Sequence, residues 1–139
     1  MGIFYWHDYS VYFFDEDTDT DYVGDFMEDL MRVDKFKALE ILSLFFERLE
    51  EGRGIPESWF KGKNPKVKDL KGKADALFEY RDFSDEVNLP IRIYFAPDKY
   101  DKMLVFLDAH FKRDDSDQNR RVKVAYKRWR AYLRSRGIY

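Results

Sequence analysis

The chain has 139 residues, 45% hydrophobic and 19% aromatic, and no cysteine; it has the bulk to bury about two-thirds of its unfolded surface in one core and no means to build a disulfide framework or a thiolate zinc site. No apolar run approaches the roughly 18 residues of a membrane span, and Met1 to Tyr12 lacks the cationic start and long apolar centre of a signal peptide, so the expectation is one soluble, cytoplasmic domain over residues 1–139. The net charge of −2 conceals a polarity, 15 acidic against 5 basic residues in 1–60 and 12 against 20 in 61–139, which makes any contact with a polyanion one-sided.

Tyr9 to Phe14 is rich in aromatic and β-branched residues and predicts a first strand. Asp15 to Asp21 then breaks it. This acidic tract lacks the glycine and terminal Glu of a calcium loop and is read as a solvated loop whose last residues cap a helix. From Tyr22 to Arg32, Val23, Phe26, Met27, Leu30 and Met31 recur at helical spacing. Asp34 caps a second helix, Lys35 to Glu51, whose predicted core stripe is Leu39, Leu42, Phe46 and Leu49, widened by Ala38 and Phe45, with Gly52 or Gly54 ending it. Two helices so close in sequence form a hairpin on one sheet face.

Lys61 to Lys73 carries Lys61, Lys63, Lys66, Lys68, Lys71 and Lys73 among Gly, Asn and Pro, and reads as a loop. Ala74 to Phe83 follows as a strand, then Pro90 to Ala96, where Ile91, Ile93 and Phe95 alternate with Arg92, Tyr94 and Ala96. Arg81 and Arg92 are the basic groups of these two strands, with Glu79 and Asp82 near enough in sequence to pair with them. Leu104 to Leu107 is a continuous apolar run, as a strand covered on both faces requires. It passes into His110, Lys112 and Arg113, with Asp108, His110 and Lys112 on one face by alternation. The last helix, Gln118 to Arg136, is capped by the acidic Asp114 to Asp117 segment and buries Val122, Ala125, Tyr126, Trp129, Tyr132 and Leu133. Arg120, Lys123, Lys127, Arg130 and Arg134 form its cationic stripe.

The order βααβββα predicts an α+β fold, a twisted and mostly antiparallel sheet with an N-terminal helical hairpin and a C-terminal basic helix. Four segments resemble the RelE/ParE toxin superfamily, most closely its phage-derived HigB-like branch: Val11-Tyr12-Phe13-Phe14 with Val23-Gly24-Asp25-Phe26-Met27; Lys68-Asp69-Leu70-Lys71-Gly72; Leu77-Phe78-Glu79-Tyr80-Arg81; and Ile91-Arg92-Ile93-Tyr94-Phe95 with Val105 to Leu107 and His110-Phe111-Lys112-Arg113. The resemblance implies a type II toxin that cleaves messenger RNA on the ribosome. It uses the substrate's 2′-hydroxyl as nucleophile, needs no metal or other cofactor, and is neutralised by a helix-turn-helix antitoxin.

On that resemblance Arg81 and Arg92 clamp phosphate, His110 moves a proton, and Lys112 and Arg113 stabilise charge at the scissile group. Lys61, Lys63, Lys66, Lys68, Lys71, Lys73, Arg120, Lys123 and Lys127 then hold messenger or ribosomal RNA. One departure stands out: HigB-like chains usually follow the basic pair with a Thr-Gln-Lys-Thr-Pro type segment, where this chain has Asp114-Asp115-Ser116-Asp117. The alternative is an inactive phage or prophage protein that keeps the scaffold and binds a host protein. A gyrase-directed toxin of the ParE branch is a third reading, against which His110 counts.

Overall fold

The computed structural model describes residues 2–16, 21–72, 74 and 76–137. Most of the acidic Asp15–Asp21 tract, and Lys73, lie outside them. The fold is α+β, a mixed and mostly antiparallel sheet between a helical hairpin and a C-terminal helix. Its strands are β2 (Ser10–Phe13), β4 (Val67–Asp69), β5 (Phe78–Ser84), β6 (Leu89–Asp98) and β7 (Met103–Phe111), in the order β2-β7-β6-β5-β4. Only β2 runs parallel to its neighbour, β7. A short ribbon, β1 (Phe4–Tyr5) with β3 (Ile55–Pro56), stands apart. It needs Gly54, whose φ of +71° and bare Cα let the backbone close on the Tyr5 carbonyl.

The hairpin is α1 (Tyr22–Val33) followed by α2 (Lys35–Ile41), a π-helical turn at Leu42–Phe46, and α3 (Glu47–Glu50). Asp21 caps α1 by accepting the Gly24 amide at 2.9 Å, and a Cβ at position 24 would collide with that carboxylate. Asp34 alone joins the two helices. Its amide donates to the Leu30 carbonyl, while its carboxylate accepts from the Lys37 amide and from the Ser84 hydroxyl on β5, 3.1 and 2.7 Å away.

Several boundaries differ from the sequence reading. The lysine-rich connector contains the edge strand β4, because Val67 is buried and pairs with Tyr80 even though the flanking lysines face water. The strand expected from Ala74 begins only at Phe78. Leu39 and Leu42 do not face the core: Ala38, Ile41, Phe45, Phe46 and Leu49 do. The segment is apolar on two faces, and only the sheet decides which is covered.

The C-terminal helix, α4 (Asp115–Ser135), is capped by Asp114, which accepts the Asp117 amide at 2.7 Å. The sheet divides two cores. Val23, Phe26, Leu30, Ile41, Phe45 and Leu49 pack with Ile93, Phe95 and Phe106 on the hairpin side, where Phe45 stacks on Tyr80 at 4.1 Å between centroids. Val122, Ala125, Trp129 and Tyr132 of α4 pack with Tyr94, Ala96, Val105 and Leu107 on the other side. Among the described residues no helix is long and apolar enough to cross a membrane.

Candidate functional site

Arg81, Arg92 and His110 occupy one cross-sheet row. Arg81 is opposite Arg92 in the β5–β6 ladder, and Arg92 is opposite His110 in the β6–β7 ladder. The Arg81 amide also donates to the Lys66 carbonyl at 2.7 Å, extending the row past the start of β4. Directly opposed residues share a face, and adjacent strands lie about 4.8 Å apart. The sequence therefore folds two guanidinium side chains and an imidazole into one line about 10 Å long, beside α4, while the Lys66 ammonium turns to Trp59 on the hairpin side.

A bulge sets which face His110 takes. Tyr94 pairs with Asp108 but Phe95 pairs with Phe106, which leaves Leu107 as an extra residue in β7. Such an insertion reverses the alternation beyond it. Asp108 and His110 therefore face α4, where an uninterrupted strand would have sent them into the hairpin core.

The row is heavily compensated. Arg92 is 7% exposed and lies beside the buried carboxylate of Glu79, with 3.1 Å between Nε and Oε1. Its Nη1 donates to the Ile91 carbonyl at 3.0 Å, whereas the Nε–H points at no acceptor among the described residues. Proximity there gives charge attraction without a directed bond. Burial lowers the Arg92 pKa, against the pull of Glu79. Glu79 takes its hydrogen bond from the Gln118 side chain of α4.

His110 is 8% exposed, and both ring nitrogens are engaged. The Phe111 carbonyl, 3.1 Å from Nδ1, can only accept, so Nδ1 carries the proton and Nε2 accepts from the Tyr94 hydroxyl at 2.9 Å. Burial, reinforced by the Arg121 guanidinium, lowers the His110 pKa, opposed by Asp108 and Asp117. Burial and the nearby Glu79 charge raise that of Tyr94, keeping its hydroxyl protonated. The result is a neutral imidazole at pH 7.

The expected residues do not open on one hollow. Arg81, Arg92 and Lys66 line a cavity of about 420 Å³ with Asn64 and Asp82. Arg81 is half-buried and its guanidinium has no side-chain partner among the described residues, while Lys66 lies 5.4 Å from the Trp59 ring centre. His110 belongs to a separate hollow of about 280 Å³ lined by Arg113, Asp117, Arg120 and Arg121. Arg113 is exposed there, its guanidinium without a side-chain partner among the described residues, but Arg120 pairs with Asp117 at 2.6 Å, and Lys112 is held by Asp115 at 3.1 Å.

Of the outlying lysines, Lys61 pairs with Glu57 at 3.0 Å. Lys63, Lys68, Lys123 and Lys127 are exposed without side-chain partners among the described residues. Lys71 borders another hollow with Trp6 and Lys99. Tyr126 packs at the edge of the α4 core.

The sequence reading missed Asp108, Arg121 and Arg128. Asp108 is 1% exposed and accepts two bonds from Arg121, both 2.7 Å, and one from Arg128 at 2.9 Å. The guanidinium of Arg128 also lies 3.3 Å from the Tyr22 ring centre. The available signal was their seven-residue spacing, which puts both arginines on one side of the helix, away from the outward stripe. Among the described residues no group of three or more His, Cys, Asp or Glu side chains is arranged to hold a metal ion.

Comparison with known proteins finds no matching family model, no matching curated protein and no matching solved structure.

Proposed function

We propose that the protein is a toxin of the RelE/ParE kind in its HigB-like form, a metal-independent endoribonuclease that acts on messenger RNA at the ribosome and is held in check by an antitoxin. The observation that carries this reading is the cross-sheet row of Arg81, Arg92 and His110. A phosphodiester entering the hollow at Arg81 meets a guanidinium without a side-chain partner among the described residues, on a wall that Arg92 also forms. In the reaction the ribose 2′-oxygen attacks phosphorus as its proton leaves, the P–O2′ bond forms, and the P–O5′ bond breaks as the leaving oxygen is protonated. A neutral His110 suits the proton transfer once it gives up one of its present partners, Arg113 on the wall of the same hollow offsets phosphorane charge, and Lys112 adds to this when Asp115 releases it.

The test is cleavage in a translation mixture. Wild-type protein is expected to cut messenger RNA only when ribosomes are translating it, leaving a new 5′-hydroxyl end, and Arg81→Ala or His110→Ala to lose cutting while keeping the fold. Intact message at stoichiometric enzyme overturns the reading.

A second reading has its own support. His110 is closed on both nitrogens and the Arg92 charge is offset by Glu79, which fits a scaffold that has lost catalysis and binds a host protein. Harmless expression, together with RNA left whole, favours it.

A further inference from the structure

The hollow bordered by Lys71 measures about 440 Å³ and sits where β4 and β6 finish and β5 begins, within the roughly 300–1,000 Å³ of small-molecule sites. Its wall is aromatic. Asp69 is opposite Phe78, and Phe78 is opposite Phe95; directly opposed residues share a face, so the carboxylate stands beside the Phe78 ring. Trp6, which follows β1, meets Phe78, Phe95 and Phe60 edge to face, at 4.8, 5.7 and 5.9 Å between centroids. These contacts fix the indole in place, and it stays half-buried, lining the hollow with Tyr5. Trp6 and Ala76, both lining residues, hold the left-handed backbone conformation, with φ of +58° and +72°. Residues with a Cβ avoid that region, and such departures gather at ligand clamps. Lys71 and Lys99, just beyond the ends of β4 and β6, are exposed and without side-chain partners among the described residues. Asp69 accepts the Lys71 amide on Oδ1 at 2.9 Å, and its Oδ2 has no partner among the described residues.

We propose that this hollow binds a free guanine nucleotide with a terminal phosphate, guanosine 5′-monophosphate (GMP) being its simplest form. The rings supply a stacking surface for a base, and the two ammonium groups match a near-dianionic phosphate. Asp69 disfavours a simple polyanion and selects a ligand that also carries N–H donors. Guanine presents two adjacent ones, N1–H and the 2-amino group, whereas the same edge of adenine alternates donor and acceptor. Each carboxylate oxygen has two lone pairs, so Asp69 can accept both guanine donors and keep the Lys71 amide. None of the residues lining this hollow lines those at Arg81 or His110, and Phe78 faces the hairpin side. The inference therefore stands whichever reading of the arginine row holds.

The experiment titrates the full chain with GMP, AMP, guanosine and inorganic phosphate, by calorimetry and amide NMR. GMP is expected to bind one to one with its largest shifts at residues 5–6, 69–71, 76–78 and 98–99, and the other three about tenfold or more weakly. The double variant Lys71→Ala/Lys99→Ala, both positions exposed, is expected to keep the fold and weaken GMP binding about tenfold or more. Asp69→Asn keeps an oxygen for the Lys71 amide and is expected to abolish the preference for GMP over AMP, a readout that a merely structural role would not move. Arg81→Ala is expected to leave GMP binding unchanged. No GMP binding at millimolar concentration, equal binding of GMP and AMP, or no loss in the double variant each overturns the proposal. So does tighter binding of a short guanine-containing RNA without a terminal phosphate, which would make the hollow part of an RNA path.

Discussion

Leu107 and Asp108 are consecutive in β7, yet both face the C-terminal helix: Leu107 joins the Val122–Trp129 core, and Asp108 binds Arg121 and Arg128. The bulge between them keeps a carboxylate and an imidazole out of the hairpin core, where neither would find a partner. Asp108 thereby becomes the electrostatic anchor of α4. Asp108→Ala leaves two guanidinium groups on the helix without their carboxylate. Removal of one partner of a buried pair costs roughly 3–5 kcal/mol, and the partial exposure of Arg121 and Arg128, 28% and 13%, puts the expected loss near the lower end. Urea denaturation gives the magnitude. Hydrogen exchange should show α4 amides opening first, and uniform exchange over the whole chain would contradict the anchoring role.

Arg81 and Arg92 face each other across two strands but should respond to mutation in opposite ways. Arg81→Ala removes a guanidinium without a side-chain partner among the described residues and is expected to change stability by no more than about 0.5 kcal/mol, while weakening single-stranded RNA binding and flattening its salt dependence by about 0.7 log units for each phosphate no longer neutralised. Arg92→Ala strands Glu79, which is 1% exposed, and is expected to cost roughly 3–5 kcal/mol. Thermal unfolding beside a salt-dependent RNA titration separates the two. If both variants melt with the wild type, Glu79 and Arg92 are not a coupled pair.

The strands were legible where alternation and apolar runs were strong. Ile91, Ile93 and Phe95 against Arg92, Tyr94 and Ala96 fall on the two faces that the period of two predicts, and Leu104 to Leu107 is buried throughout. The aspartates before each helix were legible as caps because the short carboxylate serves orphan amides. Two kinds of feature were not. A bulge leaves no trace in composition, so the placement of His110 and Asp108 beside α4 depends on a register that only pairing reveals. Pairing partners are likewise invisible in a chain with so many charges: Lys112, expected to stabilise charge, and Arg120, expected to hold RNA, are held by Asp115 and Asp117.

The second helix shows how periodicity can be right and its phase wrong. Residues 36, 39 and 42 repeat at helical steps as faithfully as 38, 41 and 45, and the sheet covers the latter, together with Phe46 and Leu49. Ile41→Ala, at a fully buried position, is expected to destabilise by about 2–5 kcal/mol. Leu39→Ser is expected to stay within about 0.5 kcal/mol. Denaturant midpoints of the two variants decide the phase, and a larger loss for Leu39→Ser would restore the stripe expected from sequence alone.

His110 makes stability depend on pH with a definite sign. Burial first, and then the Arg121 charge, lowers its pKa below the ordinary 6.5, with Asp108 and Asp117 pulling the other way. The unfolded chain therefore binds the proton at a pH where the folded protein does not. Stability from this group is complete above about pH 6.5, and it is lost as pH falls below that value towards the lowered folded pKa, under which the loss levels off. His110→Gln, which cannot titrate, should remove this part of the acid slope while leaving the carboxylate contribution at lower pH. The check is unfolding free energy against pH for both proteins, with an NMR titration of the His110 ring. The other histidine, His7, is exposed beside Asp8 and is assigned by its own substitution. A folded His110 pKa above 6.5 would reverse the slope and show that Asp117 and Asp108 outweigh burial. It would also put a protonated imidazole in the arginine row, changing the part proposed for it in phosphate chemistry from proton acceptor to proton donor.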